Sequence, residues 1–328
     1  MRHCAATALI HATAVTVFLA MPARAEPSGK IYISNEKSST ITVLDGRTNE
    51  VIDTFETCAR PRGMHFNHDR TQFFVGCADD NVIAVYDTAT AKLVHRIRKM
   101  EEPETFDLHP SGDYLVVSNE EDAAATKVNV ATGKVEGEAE LGEEPEGVLF
   151  RADGKTVYVA SEANNLVHVI DFETMEVKAD IFVGTRPRRF ALTRDEKYLW
   201  VSCELAGEVD IIDTATNKVA WDILFLPPGF RREEVTPVDL LITNDGKTAY
   251  VALGRANHVG VVDVESRRII DYILVGKRPW GLALTSDESL LYVANGLSDD
   301  VSIVDTRTRK VLKSIPVGLI PYGILIDD

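Results

Sequence analysis

The sequence predicts an all-β chain, because one unit of four short apolar runs recurs along it. The clearest copy spans residues 277–318, KRPWGLALTSDESLLYVANGLSDDVSIVDTRTRKVLKSIPVG. Its runs are rich in Val, Ile, Leu and Tyr, which favour strands, and its spacers carry the Ser, Asp, Thr and Gly that turns require. Each copy is therefore predicted to form a four-stranded antiparallel meander.

Two independent markers give the number of copies. A proline opens the first strand of each copy, and successive prolines are 42, 42, 42, 50, 42 and 42 residues apart. A second marker closes the third strand at matching intervals, as Asp305 does in the last copy and Val130 in the third. A period of about 40–45 residues with four strands per unit is typical of propeller blades. The prediction is a seven-bladed β-propeller with four-stranded blades. The prolines are Pro61, Pro103, Pro145, Pro187, Pro237, Pro279 and Pro321.

The two ends of the repeat region predict how the ring closes. The first recognisable strand, KIYISN at residues 30–35, matches the second strand of a blade, whereas residues 320–328 match a first strand. We expect residues 321–326 to pair as an inner strand with the strands of residues 30–55. Such pairing removes the open sheet edge. Residues 26–328 are then a single propeller domain.

Residues 1–25 have the pattern of a secretory signal peptide. The stretch from Ala5 to Ala20 is almost wholly apolar, and Ala23-Arg24-Ala25 is a small-x-small cleavage pattern. Export to the periplasm with cleavage near Ala25 is expected. The alternative is a membrane anchor, but the stretch is shorter than the roughly 20 residues that a spanning helix needs.

Charge argues against nucleic acid as a partner. The chain has a formal net charge of -16, which becomes about -18 without residues 1–25, since these hold Arg2 and Arg24 but no acid. Binding to phosphates requires a basic face. An acidic surface favours solubility, and it can also steer a basic partner.

The mature chain would keep three cysteines. Cys77 and Cys203 hold the same repeat position three blades apart, so they are too distant to pair. Cys58, in the loop before an inner strand, and Cys77, at the end of the neighbouring strand, meet on one face. An exported compartment is oxidising, so we expect a disulfide between Cys58 and Cys77 and a buried, free Cys203.

One face of the ring collects the loops that enter the first strand and leave the second, and there the copies diverge. We call it the Pro-x-Gly face. Binding residues tend to lie on loops held by a rigid frame, so this face is the predicted binding face. The alternative is a solvated rim with mutual salt bridges, worth little energetically. The residues after the prolines are Arg62, Glu104, Glu146, Arg188, Val238, Trp280 and Tyr322.

An insertion on the same face supports binding. The eight extra residues between Pro187 and Pro237 fall in LFLPPGFRREEVTP, and insertions in repeat folds often lie on the binding face. Phe230, Arg231 and Arg232 would project there as an anchor and a clamp. A merely tolerated long loop is the alternative.

No catalytic or metal motif is found in the sequence. The six histidines after residue 25 have no zinc-ligand spacing, and no nucleophile elbow, phosphate loop or HExxH occurs. His65 with Glu36 or Glu120 is the best acid–base set that an enzyme could use. A second alternative is an axial cation held by Glu120, Glu162 and Glu204, which occupy one position on successive blades. The prediction is no catalytic residue and no metal site.

The strand motif Tyr-Val-Ala-Asn stands intact at residues 292–295 and varied at 158–161 and 250–253. Residues 30–328 thereby resemble the YVTN-type β-propeller repeats, a WD40-like family of binding, surface-layer, lactone-hydrolysing and haem-binding proteins. The insertion at Pro227–Glu234 resembles the propellers associated with PQQ-dependent catabolism, which accompany quinoprotein alcohol dehydrogenases and their cytochromes. Quinoprotein dehydrogenases themselves look like eight-bladed rings with repeated tryptophan-docking motifs, and here only residues 216–221 are similar to one.

The resemblance implies a periplasmic role accessory to quinoprotein alcohol oxidation. Since no catalytic or metal motif is found, the prediction is a non-catalytic binding propeller without a cofactor of its own. Its expected partner is a quinoprotein dehydrogenase, a cytochrome or a small ligand. Residues Arg62, Arg188, Trp280, Tyr322 and the 227–234 loop would grip that partner. The alternative is an enzyme, either a lactonase-like hydrolase or a redox propeller that binds haem or PQQ.

Overall fold

The computed structural model describes Met1 and residues 26–328, and the predicted signal peptide lies outside this part of the chain. Residues 26–328 form 28 strands in seven antiparallel sheets of four. The seven-bladed, four-stranded prediction is confirmed. No helix among the described residues is long and apolar enough to cross a membrane.

Each blade runs from an inner strand at the central channel to an outer strand at the rim. The inner strands all begin at the repeat proline: β28 (Pro321–Asp327), β4 (Pro61–Phe66), β8 (Pro103–Leu108), β12 (Pro145–Phe150), β16 (Pro187–Leu192), β20 (Pro237–Ile242) and β24 (Pro279–Leu284). The second strands are β1 (Lys30–Asn35), β5 (Gln72–Cys77), β9 (Tyr114–Asn119), β13 (Thr156–Ser161), β17 (Tyr198–Cys203), β21 (Thr248–Leu253) and β25 (Leu290–Asn295).

The outer half of each blade follows the same order. The third strands are β2 (Thr40–Asp45), β6 (Val82–Asp87), β10 (Ala124–Asn129), β14 (Leu166–Asp171), β18 (Glu208–Asp213), β22 (His258–Asp263) and β26 (Asp300–Asp305). The outer strands are β3 (Glu50–Glu56), β7 (Leu93–Arg98), β11 (Val135–Glu140), β15 (Glu176–Phe182), β19 (Lys218–Leu224), β23 (Arg268–Leu274) and β27 (Lys310–Pro316). Short 3₁₀ turns occur at Ala78–Asp80, Arg232–Glu234 and Gly254–Ala256.

The turn after each third strand explains the second repeat marker. In blade 2 the carboxylate of Asp87 accepts a hydrogen bond from the backbone N–H of Thr90 at 2.8 Å, which is an Asx-type turn. In blade 3 the equivalent residue is Asn129, whose side-chain oxygen accepts from the backbone N–H of Thr132 at 3.0 Å. Val130 therefore lies one residue beyond the true repeat position.

The C-terminal strand closes the ring. Strand β28 pairs antiparallel with β1, so that Ile324 lies opposite Ile33 and Asp327 opposite Lys30. The backbone N–H of Gly29 also donates to the carbonyl of Asp327 at 2.8 Å. Blade 1 is thus built from both ends of the described chain, and β1 has an inner strand beside it as the second strand of every other blade does.

The core lies between neighbouring blades. Second and third strands are buried along almost their whole length, whereas outer strands such as β3 are mostly exposed. One cluster joins Tyr32 of blade 1 to Phe73 of blade 2, whose rings lie 4.8 Å apart, and Tyr86 stacks on Phe73 at 5.2 Å. Each sheet therefore buries its two faces only if it has a neighbour on both sides.

Two of the three cysteines of residues 26–328 lie at the interface of blades 1 and 2. Cys58 and Cys77 form a disulfide, with Cα atoms 5.7 Å apart. The bond ties the loop before β4 to the end of β5 on the Pro-x-Gly face. Cys203 is buried and is the free cysteine of residues 26–328.

Removing residues 321–328 should open the ring. The deletion removes the buried side chains of Tyr322 and Ile326, exposes the surfaces that they cover, and leaves the inner edge of β1 without a partner strand. Since burial of one large side chain contributes about 1.5–3 kcal/mol, loss of these two should lower the free energy of unfolding by at least about 3 kcal/mol. Urea unfolding of the mature chain measures it. A chain lacking only Asp328 is the control, and equal stability of the two truncated chains would contradict ring closure.

Candidate functional site

The seven residues that follow the repeat prolines meet at the Pro-x-Gly end of the channel. We call them the mouth ring. They converge because every inner strand begins at its proline and because neighbouring inner strands contact one another. All except Trp280 are buried. The mouth ring consists of Arg62, Glu104, Glu146, Arg188, Val238, Trp280 and Tyr322.

Arg188 is the centre of one ion-paired half. Its guanidinium contacts Glu146 at 3.1 Å, Glu162 at a direct hydrogen-bonding distance and Glu204 at 3.6 Å. Arg186 pairs with the same Glu162 and Glu204, at 2.6 and 3.3 Å. Glu162 and Glu204 follow the second strands of blades 4 and 5, so the network joins the mouth ring to the adjacent loops.

Arg62 and Arg60 form the other half. Arg62 donates to Glu104, and Arg60 contacts Glu36 at 3.2 Å and Glu104 at 3.4 Å, with Glu102 also in direct contact. The carboxylates of blades 1 to 3 thus surround two guanidinium groups. Arg62 is almost fully buried and Arg60 partly so.

The three glutamates of the alternative cation site, Glu120, Glu162 and Glu204, are not brought together. Glu162 and Glu204 are occupied by Arg186 and Arg188. Glu120 instead lies with Glu102 and Glu104, whose carboxylate oxygens are all within 4.8 Å of one another. Arg60 already places its positive charge against two members of this trio.

Burial and neighbouring charges shift the pKa values of the network. Burial, together with the Glu146 carboxylate, raises the pKa of Glu104 well above its usual range despite Arg62. Burial raises the pKa of Glu162 to about 8, and Glu146 adds to the rise. Glu146 behaves oppositely, because Arg188 and Arg189 outweigh its burial and hold its pKa far below the ordinary value. Burial and like charge therefore act against the arginines at Glu104 and Glu162, whereas at Glu146 the arginines prevail.

Aromatic rings complete the mouth ring. The guanidinium of Arg62 lies 4.6 Å from the ring centre of Tyr322, and those of Arg188 and Arg278 lie 5.3 and 4.7 Å from Trp280. The Trp280 and Tyr322 rings are 5.6 Å apart. Cation–π contacts of this kind hold the arginines in place.

The mouth ring is therefore a sealed ionic layer. The sequence predicted a binding surface here, with a solvated rim of salt bridges as the alternative. The structure shows salt bridges, but they are buried rather than solvated. Arg188, for example, is 3% exposed. The charged members of the ring are paired with one another and with the adjacent loop residues.

The insertion is arranged differently from an outward anchor and clamp. Phe230 is half-buried, packs against the core between blades 5 and 6 and meets His258 edge to face at 5.6 Å. Arg232 donates to the carbonyl of Ala206 at 2.9 Å and to Glu208 at 2.8 Å. Arg231 pairs only with residues of its own loop, and its side chain is 72% exposed.

His65 does not meet Glu36 or Glu120. It lies four residues below Pro61 on β4, and its Nε2 is 3.4 Å from a carboxylate oxygen of Asp107. Glu36 follows β1 at the Pro-x-Gly end. The acid–base set considered for an enzyme is therefore split between the two ends of the channel.

The structure brings together three residues that the sequence motifs missed. On blade 4, the Ser161 hydroxyl lies 2.8 Å from His168 Nε2, and His168 Nδ1 lies 2.6 Å from Asp180. This order is that of a serine hydrolase triad. The same ladder of repeat positions occurs on blade 7 as Asn295, Ser302 and Ser314, at 2.9 and 3.3 Å.

The shared ladder identifies the trio as a structural feature. Ser161 and His168 are buried, and the backbone N–H of Gly142 also donates to His168 Nε2 at 3.2 Å. His168 therefore carries its proton on Nδ1, where it donates to Asp180. Aligning the repeats and comparing the side chains at the second-strand position and at the positions 7 and 19 residues later would have found this trio in the sequence.

Comparisons with known proteins agree with a seven-bladed β-propeller. A family model described as "Lactonase, 7-bladed beta-propeller" matches residues 176–314. No curated protein sequence gave a significant match. The resemblance to YVTN-type and PQQ-associated propellers stays a prediction.

Solved structures similar to this chain share its fold at low identity. Hydrazine synthase of Kuenenia stuttgartiensis has a TM-score of 0.70 and 21% identity, over 80% of this chain and 88% of that chain. A protein from Bacteroides fragilis NCTC 9343, provisionally described as a 6-phosphogluconolactonase, has a TM-score of 0.77 and 17% identity, over 91% and 98%. A protein of unknown function from Desulfotomaculum acetoxidans DSM 771 has a TM-score of 0.79 and 15% identity, over 91% and 99%.

Replacing Arg188 by methionine tests the sealed mouth ring. The substitution leaves three glutamates without their central cation, and removal of one partner from a buried ion pair costs about 3–5 kcal/mol. We expect a loss of that size in urea unfolding. Arg231→Met, which removes an arginine paired with Glu233 and Glu234 at the surface, should leave stability unchanged. Equal effects of the two substitutions would mean that the ring is solvated.

Burial of His168 predicts a pH dependence. Burial lowers its pKa below the ordinary 6.5, so on acidification the unfolded chain takes up the proton and the folded chain resists it. This contribution is present above the unfolded pKa and is lost below it. We expect unfolding free energies to fall less between about pH 7.5 and pH 5 in His168→Gln than in the parent chain. His95→Gln, on the mostly exposed strand β7, is the control, and its unfolding free energy should fall by as much as that of the parent chain. Parallel curves for all three would contradict a buried, neutral His168.

Proposed function

We propose that the chain is an exported, non-catalytic interaction propeller that docks a periplasmic partner on its Pro-x-Gly face. The resemblance to PQQ-associated propellers supports a role beside quinoprotein oxidation of alcohols or related carbon sources. The observation that carries the docking proposal is an uneven distribution of exposed apolar side chains on this face. It is found among the described residues around the sealed mouth ring.

The apolar side chains lie at the ends of outer strands and on neighbouring loops in one half of the ring. We call Phe182, Leu224 and Leu274, the last residues of β15, β19 and β23, the apolar arc. Phe182 is 78% exposed and Leu274 65%. The equivalent residues of blades 1 to 3 are Glu56, Arg98 and Glu140. Exposed loop residues that extend the arc are Leu205, Leu226, Leu297 and Leu319.

Charged side chains on the Pro-x-Gly face are also unevenly distributed, with basic residues beside the apolar arc and acidic residues in the other half of the ring. Arg255 and Lys277, which form no salt bridge among the described residues, lie beside the arc, whereas blades 2 to 4 present a large acidic group of loop residues. Contiguous exposed apolar side chains mark interaction sites on soluble proteins, and complementary charge orients the partner. The partner that fits is a protein whose apolar contact patch is bordered by carboxylates. The acidic loop residues are Asp79, Asp80, Glu101, Glu102, Glu143 and Glu144.

A lactone hydrolase is the second candidate. The match of residues 176–314 to the lactonase family model and the fold shared with a provisional 6-phosphogluconolactonase favour it. Arginine can stabilise the oxyanion of ester cleavage, and a buried carboxyl can act as the general base. Hydrolysis of a sugar lactone by the mature chain, measured as release of acid, would favour this candidate over docking.

The apolar arc can be tested against a matched patch elsewhere. In the double variant Phe182→Ser, Leu274→Ser, affinity for a purified quinoprotein alcohol dehydrogenase or its cytochrome should fall at least about tenfold, because two desolvated anchors are lost. Val51→Ser, Ile52→Ser on β3 of blade 1 is the control, since these side chains are 46% and 52% exposed. Surface plasmon resonance with the immobilised mature chain measures both.

Two results would overturn the docking proposal. One is that neither redox protein binds the parent chain. The other is that the β3 control weakens binding as much as the arc variant, which would place the contact on the outer rim.

A further inference from the structure

A cavity lies in the channel beneath the mouth ring. Its volume is about 230 Å³, and residues of all seven inner strands line it, with Arg189 as the contribution of blade 5. We call it the central well. Since an apolar cavity of about 150 Å³ holds benzene, the well has room for about ten non-hydrogen atoms. The residues that follow the mouth ring in each inner strand form the closed end of the well, next to the ring, and we call this end the floor.

Most floor positions are glycine, so few side chains share the space. At Gly281 a Cβ would lie 2.2 Å from the carbonyl oxygen of Tyr322, which explains why no larger residue fits there. The floor side chains among the described residues are those of Thr105, Arg189 and Asp239. One cation and one anion therefore face a small enclosed space.

Both charged groups are held rigidly. Arg189 donates through Nη1 to Glu146 at 2.7 Å and through Nη2 to the Tyr322 hydroxyl. Asp239 accepts from the backbone N–H groups of Leu240 at 2.9 Å and Leu282 at 2.8 Å. These contacts leave Arg189 Nε free to donate among the described groups, and each Asp239 oxygen can accept another bond.

The wall and the opening give the rest of the ligand's character. Met64, Val148 and Ile324 line the well with apolar groups. Below them, Leu149 and Leu325 are partly exposed, and the His65 side chain is 43% exposed. Val238, Trp280 and Tyr322 of the mouth ring also line the well, and because the ring is buried apart from Trp280, we infer that a ligand enters from the face opposite the Pro-x-Gly face.

We propose that the central well binds a small 2-hydroxycarboxylate with an apolar substituent. Its carboxylate lies against Arg189, its hydroxyl donates to Asp239, and its apolar group packs along Met64, Val148 and Ile324. Rigid partners and a closed floor reduce the ordering cost of binding. This site is independent of the docking proposal and needs no partner protein.

Calorimetric titration of the mature chain with mandelate tests the site. Mandelate carries a carboxylate, a hydroxyl and a phenyl ring. Phenylacetate lacks the hydroxyl and benzyl alcohol lacks the carboxylate. A site built to pair both groups should bind each of these at least about tenfold more weakly than mandelate.

Two variants and a control place the ligand in the well. Asp239→Asn should weaken mandelate binding at least about tenfold, since the amide keeps the size of the group but loses an acceptor. Gly63→Ala should weaken it by filling space, because its Cβ meets nothing closer than 3.4 Å and the fold is retained. Asp107→Asn is the control: Asp107 likewise accepts from two backbone N–H groups, of Leu108 and Phe150, but does not line the well.

Each result decides. Binding that falls in Asp239→Asn and Gly63→Ala but persists in Asp107→Asn supports the site. Absence of mandelate binding overturns the proposal, as does binding unchanged in Gly63→Ala or equal binding of phenylacetate. If Asp239→Asn fails to fold, Gly63→Ala alone decides.

Discussion

The structure depends on closing the ring. A single blade is a four-stranded sheet whose two faces are apolar, so it can bury them only between two neighbours. Tyr32, Phe73 and Tyr86 show the result, since the ring of Tyr32 on blade 1 packs against Phe73 of blade 2, which in turn stacks on Tyr86 of its own blade. The pairing of β28 with β1 completes the circle, because without it the first and last blades would each expose one face and an unpaired edge.

Closing the ring brings the seven mouth-ring residues together at the Pro-x-Gly end of the channel, and their charges determine whether this end is open or closed. Arg188 is held by glutamates of blades 4 and 5, and Arg62 by those of blades 1 and 3. Such buried pairs add little net stability, because desolvation offsets their attraction. Their effect is to seal the channel at the Pro-x-Gly end. Binding then has two separate places, the apolar arc around the seal and the central well beneath it.

The sequence was sufficient for the fold because its repeat markers reflect backbone requirements. Each proline stands at the first residue of an inner strand, and each marker aspartate accepts backbone N–H groups in a turn. These requirements are local, so spacing alone locates them. Val130 was misplaced by one residue because blade 3 uses asparagine for the same turn.

The site could be predicted only in part, because its properties come from contacts between blades. The repeat register placed Arg62, Glu104, Glu146 and Arg188 together, but spacing says nothing about which pairs form or whether water reaches them. His65 illustrates the limit, since pairing with Asp107 on the next blade fixes it at the other end of the channel. The Ser161, His168 and Asp180 ladder was hidden because its members lie on three strands.

The central claim is that the channel is sealed at the Pro-x-Gly end and open at the other. A high-resolution crystal structure of the mature chain soaked with mandelate tests this claim most directly. The account predicts ligand density between Arg189 and Asp239, with Arg188 still bound to Glu146 and Glu162 above it. Density on the outer side of Trp280, or a mouth ring whose ion pairs have opened to admit water, would contradict it.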